Sequence, residues 1–83
     1  MRLVAAIVPK AEAEALARRL AERGFQGTRL PALGSFTGEE REAFWIGVEP
    51  ERLEELKALV AEVTSAEEGA VVFVLEVLEL LRL

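Results

Sequence analysis

The feature that most limits the fold is the order of apolar patterns along the chain. Two segments have apolar residues at helical spacing, and each lies between two short apolar runs that indicate strands. Apolar residues that recur every three or four positions indicate a helix, and short apolar runs between turn residues indicate strands. The predicted order is strand-helix-strand-strand-helix-strand. The strands are expected at 3–8, 26–33, 43–48 and 70–75, and the helices at 10–23 and from Pro50 to about residue 63.

Both predicted helices have one apolar stripe and a charge pattern that suits the helix dipole. Glutamates lie near both helix starts and arginines near the end of the first helix, as the dipole favours. Pro9 and Pro50 suit helix starts, and Gly24 suits the residue that follows a helix end. The stripes expected to face the core are Ala13, Leu16, Ala17 and Leu20, and then Leu53, Leu56, Val60 and Val63.

The strand order predicts a ferredoxin-like βαββαβ fold of the α+β class. Its four-stranded antiparallel sheet would carry both helices on one face. Pro31 lacks a backbone N–H for a sheet ladder, which places the second strand at an edge. With 83 residues, we expect one domain that spans 1–83.

The composition argues against several classes of function. Cysteine and histidine are absent, all fifteen acidic residues are glutamate and eight of the ten basic residues are arginine. Disulfides and the commonest transition-metal ligands are therefore missing, and no histidine or aspartate can activate a nucleophile. We expect no enzymatic activity, no metal site and no cofactor. The residue bias resembles that of thermophile proteins and predicts heat stability.

The net charge of −5 opposes binding to nucleic acid or to an anionic membrane. The apolar run at 3–8 is too short to span a bilayer, so we expect a cytoplasmic protein. The first, third and last strands are apolar on both faces, although only two helices are predicted. A homo-oligomer closed through the uncovered face is expected; the alternative is a monomer in which residues 77–83 fold back as a lid.

The loop between the second and third strands is the one candidate ligand site. Gly34 and Gly38 enclose Ser35, Phe36 and Thr37, and such a loop can present backbone N–H groups to an anion. Arg29 and Arg41 could pair with phosphate or carboxylate, and Phe36 could stack on a base. The acidic residues Glu39, Glu40 and Glu42 are expected to be solvated. The alternative is an ordinary hairpin loop in which Phe36 packs into the core or a neighbouring subunit.

Residues 24–48 contain an aromatic residue at Phe25, then Thr28, Gly34 and Phe36, and an apolar strand that ends in Ile-Gly-Val at 46–48. This pattern resembles the PII-like cyclic di-AMP receptor family. The family's segment has an aromatic residue, then Arg-Ala-Thr-Lys-Leu, Gly-Gly-Phe-Leu-Arg-Ala-Gly-Asn and an apolar strand that ends in Ile-Gly-Val. The first strand and Gly-Ala-Val-Val-Phe-Val at 69–74 are also similar to the family. The residues in step with the central segment are Phe25, Thr28, Leu30, Gly34, Phe36, Phe44, Gly47 and Val48.

The resemblance implies a homotrimer that binds a nucleotide between subunits and uses its central loop to signal to a protein target. Some positions differ: Gln26 replaces an arginine, Ser35 a glycine, Gly38 an arginine and Arg41 an asparagine, and the segment before the last strand is shorter. Two alternatives stay open, a trimeric interaction module without ligand binding and a divergent CutA-like trimer. The expected ligand-binding residues are Gln26, Thr28, Gly34, Ser35, Phe36, Arg41 and Gly47.

Overall fold

The computed structural model describes residues 1–33, 40–64 and 69–83, and over these ranges it has the predicted order of elements. A single 3₁₀ turn, Pro50–Arg52, leads into the second helix. The strands are β1 (Arg2–Pro9), β2 (Gly27–Leu33), β3 (Glu40–Val48) and β4 (Val71–Glu76), and the helices are α1 (Lys10–Glu22) and α2 (Leu53–Val63).

The four strands form one antiparallel sheet in the order β2-β3-β1-β4. This arrangement confirms the ferredoxin-like fold and the edge position of β2, the strand that contains Pro31. β1 lies in the middle, where Ala5 pairs with Trp45 on one side and with Phe73 on the other. Residues paired across antiparallel strands point to the same face, so the register assigns every strand side chain to a face.

The core lies between the sheet and the two helices. Val4, Ala6 and Val8 of β1 are fully buried on this side, where they meet Leu16 of α1 and Leu56 of α2. The predicted helix stripes face the core, but Ala17, Leu53 and Val63 are half-buried, and Leu59, which was not predicted, is buried. Leu59 follows Leu56 by three positions, so it lies on the same side of the helix.

The opposite side of the sheet, here called the open face, has no covering layer among the described residues. Leu30, Trp45, Val71, Phe73 and Leu75 are between 41% and 54% exposed. The uncovered apolar surface expected from the sequence is therefore present. The open face consists of Leu3, Ala5, Ile7, Thr28, Leu30, Ala32, Arg41, Ala43, Trp45, Gly47, Val71, Phe73 and Leu75.

The third strand starts earlier than predicted. It begins at Glu40 and not at Ala43, because hairpin pairing continues through Arg41 opposite Ala32 and Glu42 opposite Pro31. The prediction that Glu40 and Glu42 belong to a solvated loop was therefore wrong in its secondary structure. The side chain of Glu42 is only 12% exposed.

No helix within residues 1–33, 40–64 and 69–83 has both the length and the apolar character needed to cross a membrane.

Candidate functional site

Three of the predicted site residues lie together at one end of the open face. Thr28 pairs with Trp45, and Gly47 follows two positions later on the same face of β3. Gln26 immediately precedes Gly27, the residue that pairs with Ile46. The three residues are exposed, and Gln26 and Gly47 line a common cavity of about 180 Å³. The structure thus brings Gln26, Thr28 and Gly47 into one surface.

The end of α1 fixes the position of Gln26. Gly24 has φ +76°, and its N–H donates to the Ala21 carbonyl at 3.1 Å. The Phe25 N–H donates to the Leu20 carbonyl at 2.9 Å, which completes a Schellman motif. Because Phe25 is buried by this turn, the chain leaves the helix with Gln26 exposed at the start of β2.

Arg52 supports this turn from the other side, a contact that the sequence did not predict. Its guanidinium lies 4.0 Å from the centre of the Phe25 ring and donates to the Arg23 carbonyl at 2.8 Å. It also pairs with Glu55 at 3.0 Å and holds the pKa of that carboxyl below its ordinary value, with help from Arg23. Arg52 lines the same cavity as Gln26 and Gly47. The only feature of the sequence that pointed to Arg52 was its position in the first turn of the predicted second helix.

Arg29 lies on the opposite side of the sheet from Thr28. Its guanidinium is 2.8 Å from Glu14 of α1 and 3.4 Å from Glu42 of β3, and it is 5.7 Å from the Phe44 ring centre. The hydrogen bond to Glu14 is the main cause that raises the pKa of Arg29. Arg29 therefore has carboxylate partners within its own chain and ties α1 to the sheet.

Arg41 lies at the other end of the open face. It is four residues from Trp45 along β3, which corresponds to about 14 Å. It contributes to a cavity of about 250 Å³ together with Lys10, whose ammonium group is 3.3 Å from Glu40. This surface carries charges of both signs. The predicted site residues Gly34, Ser35 and Phe36 lie outside the described residues.

The cavities beside these residues are small. The cavity that Gln26 and Thr28 share under β2 measures about 160 Å³, and the other two measure about 180 and 250 Å³. Pockets that enclose a small organic ligand usually measure about 300–1,000 Å³. Within the described part of one copy, these cavities provide part of a ligand site and not a complete enclosure. No group of three or more acidic side chains in the same ranges is arranged to hold a metal ion.

Comparison with known proteins assigns the family. No curated protein matches the chain. The chain resembles a crystal structure described as a functionally unknown protein from Pediococcus pentosaceus ATCC 25745, with 26% identity and a TM-score of 0.87 over 99% of this chain and 96% of that one. A family model described as cyclic-di-AMP receptor matches residues 1–71, which include β1 to α2 and the cluster of Gln26, Thr28 and Gly47. The chain therefore belongs to the PII-like cyclic-di-AMP receptor family.

Proposed function

We propose that the protein is a non-enzymatic regulatory receptor for a small anionic nucleotide, with an adenine nucleotide as the expected ligand. The observation that carries this proposal is that Gln26, Thr28 and Gly47 form one exposed surface within the segment matched by the cyclic-di-AMP receptor family. This surface is one end of the open face, where a second copy would pack. The nucleotide would then bind in a cleft between subunits of a homotrimer.

The proposed roles of the residues follow from their chemistry. The Thr28 hydroxyl would hydrogen-bond to the base or ribose, and the exposed Gly47 backbone allows close approach. Backbone N–H groups of Gly34, Ser35 and Phe36 would hold phosphate, and Phe36 would stack on the base. Because Arg41 lies at the other end of the open face, it would supply positive charge to a nucleotide held by a neighbouring copy. Binding would reorder the loop that contains these residues, and the loop would signal to a protein target.

A site between subunits is favoured by two properties of one copy. The cavities beside the proposed residues are smaller than an ordinary ligand pocket, so a neighbouring chain would have to supply the remaining walls. The open face also presents five large apolar side chains to solvent.

Isothermal titration calorimetry with cyclic di-AMP, ATP, ADP and AMP tests the proposal. We expect saturable binding of at least one ligand, and about tenfold weaker binding by Thr28→Val, since one hydrogen bond contributes about 1–1.5 kcal/mol. Arg41→Ala should weaken binding and reduce its salt dependence. Arg18→Ala, which removes the same charge from an exposed position on α1, should bind like the unmodified protein. Absence of heat with every nucleotide at millimolar concentration would refute the receptor function.

A second candidate function is a trimeric interaction module without a nucleotide. The observation in its favour is the charge at the described residues: Gln26 offers no positive charge, and Glu40 and Glu42 lie beside Arg41. Carboxylates near the phosphate position would repel the ligand. Affinity capture with and without added nucleotide separates the two functions. Recovery of the same partner in equal amounts under both conditions, together with no calorimetric heat, would support the module.

A further inference from the structure

A short apolar segment extends from β4 beyond the sheet. Residues 77–83, Val-Leu-Glu-Leu-Leu-Arg-Leu, have no regular secondary structure and are here called the leucine arm. Its four leucines are among the most exposed side chains described. Their exposed fractions are 92% for Leu78, 61% for Leu80 and 68% for Leu81, and Leu83 is fully exposed.

Within residues 1–33, 40–64 and 69–83, the arm is hydrogen-bonded to its own chain only at its first residue. The Val77 N–H donates to the Met1 carbonyl at 3.3 Å, and Arg2 pairs with Glu76 at 3.7 Å just before it. Over the described ranges, no later arm residue takes part in a hydrogen bond or ion pair with the rest of the chain. The direction of the arm is therefore set by the end of β4, while its leucines remain available for contact.

The exposed leucines form an apolar surface that favours burial. Complete burial of one leucine side chain stabilises a complex by about 1.5–3 kcal/mol before the cost of ordering is counted. Single exposed leucines are normal in soluble proteins, but here four of the six residues at 78–83 are leucines that are each at least 61% exposed. Such surfaces mark sites of protein association.

The arm does not cover the sheet of its own chain, although its length would permit this. Seven extended residues span about 23 Å, and four strands are about 14 Å wide. Nevertheless Phe73 and Leu75, the open-face residues nearest the arm in sequence, are 54% and 48% exposed. The lid considered from the sequence is therefore not formed.

A second copy of the chain is the occupant that best fits both surfaces. Every copy carries one arm and one open face, and the row Val71, Phe73 and Leu75 runs directly into the arm at Val77. In a closed ring each contact joins two different surfaces of the chain. The arm leaves from the β4 edge of the sheet, and Leu30 lies on β2 at the opposite edge.

We propose that the leucine arm of one copy packs across the open face of the next copy, beside its Leu30 and Trp45. This proposal rests on the oligomer of the proposed function and adds the segment that links neighbouring subunits. The arm buries apolar side chains on both partners. It also places the arm of one subunit near the cluster of Thr28 and Gly47 in the next, because Thr28 pairs with Trp45.

Cross-linking tests the contact directly, because the natural chain has no cysteine. A Leu81→Cys protein is mixed with a Leu30→Cys protein, allowed to exchange subunits and treated with a short bismaleimide. We expect a product with the mass of two chains. The matched control combines Leu81→Cys with Ala58→Cys, an exposed position on α2, and should give little product. A chain with both Leu81→Cys and Leu30→Cys that cross-links only internally would overturn the proposal.

Shortening the chain gives a second, independent measurement. Without residues 78–83, we expect the concentration at which the oligomer dissociates to rise at least about tenfold, as measured by sedimentation. The reason is that each 1.4 kcal/mol of lost interface energy raises the dissociation constant about tenfold. Trp45, the only tryptophan, should emit at longer wavelength at the same protein concentration. Glu79→Gln, which keeps the leucines, should change neither quantity.

The outcomes separate the arm from the receptor function. If the shortened protein dissociates like the full chain while both bind nucleotide, the arm proposal is wrong and the receptor function stands. If the full chain is an oligomer that binds no nucleotide but weakens when shortened, the arm proposal stands and the receptor function fails. A full chain that sediments as a monomer at every concentration contradicts both.

Discussion

At the scale of single residues, Gly27 has the least space for a side chain among the four described glycines. A Cβ at Gly27 would contact the carbonyl oxygen of Trp45 and come within 3.0 Å of its carbonyl carbon and 3.1 Å of the Ile46 Cα. These are backbone atoms of the paired strand, so they cannot move without opening the ladder. Gly27→Ala should lower the free energy of unfolding by about 1–3 kcal/mol, measured by chemical denaturation.

Gly47 provides the matched control for this prediction. A Cβ there would meet only the Met1 sulfur, at an ordinary 3.6 Å. Gly47→Ala should therefore leave the unfolding free energy nearly unchanged, while it crowds the proposed ligand surface and weakens nucleotide binding. Equal destabilisation by both alanines would contradict the register between β2 and β3.

Gln26 is the residue at which a gain of affinity can be tested. It is exposed beside Thr28 and Gly47 and carries no charge, whereas the family pattern has arginine at this position. Gln26→Arg should tighten binding of an anionic nucleotide at least about tenfold, because a charge-assisted hydrogen bond to phosphate contributes about 1.5–3 kcal/mol. Titration calorimetry measures the change. Unchanged affinity for a ligand that does bind would remove position 26 from the site.

At the scale of elements, ion pairs where α1 and α2 meet should make the free energy of unfolding depend on pH. Arg19 lies 3.0 Å from Glu62 and lowers the pKa of that carboxyl, and Arg52 with Arg23 lowers the pKa of Glu55. A carboxyl whose pKa is lowered in the folded state stabilises the fold at pH values above the ordinary pKa of a carboxyl group. This stabilisation is lost as the pH falls through the lowered values.

Thermal unfolding between about pH 7 and about pH 3 measures this effect. The melting temperature should fall as the pH drops below the ordinary pKa range of glutamate. A Glu55→Gln, Glu62→Gln double variant should show a smaller fall in melting temperature on acidification. The pairs are partly exposed, so added salt should also reduce the difference between the two proteins at neutral pH. Parallel pH curves for both proteins would show that other carboxylates cause the acid sensitivity.

The elements could largely be predicted from the sequence, and the differences have physical causes. Pro31 correctly placed β2 at an edge, and Gly24 correctly ended α1. The early start of β3 was missed because Glu40, Arg41 and Glu42 look like loop residues when read in isolation. Cross-strand pairing and the contact between Glu42 and Arg29 stabilise them in a strand. Such partners are distant in sequence and are not visible in local periodicity.

The candidate site was predictable only in part. The resemblance identified Gln26, Thr28 and Gly47, which the register brings together, but local pattern placed Arg29 beside Arg41 as a second anion ligand. In the structure Arg29 points to the helix side of the sheet and pairs with Glu14. Alternation along β2 assigns Thr28 and Arg29 to opposite faces, and only the tertiary structure shows which face the helices cover.

At the scale of the whole molecule, the open face should determine the oligomeric state. Phe73 is 54% exposed halfway along β4, the edge strand of this face. Phe73→Glu would introduce a charge that must lose its hydration in the interface. The variant should therefore sediment as a monomer at concentrations where the unmodified protein forms the proposed trimer. Ala58→Glu, which adds the same charge on the exposed side of α2, should leave the trimer intact.

The central claim is that a nucleotide binds where the cluster of Gln26, Thr28 and Gly47 in one copy meets a neighbouring copy. A crystal structure grown with cyclic di-AMP tests it most directly. The account predicts nucleotide density within hydrogen-bonding distance of the Thr28 hydroxyl, in contact with two subunits. Density at full occupancy on another surface, or an empty cleft at saturating ligand, would contradict it.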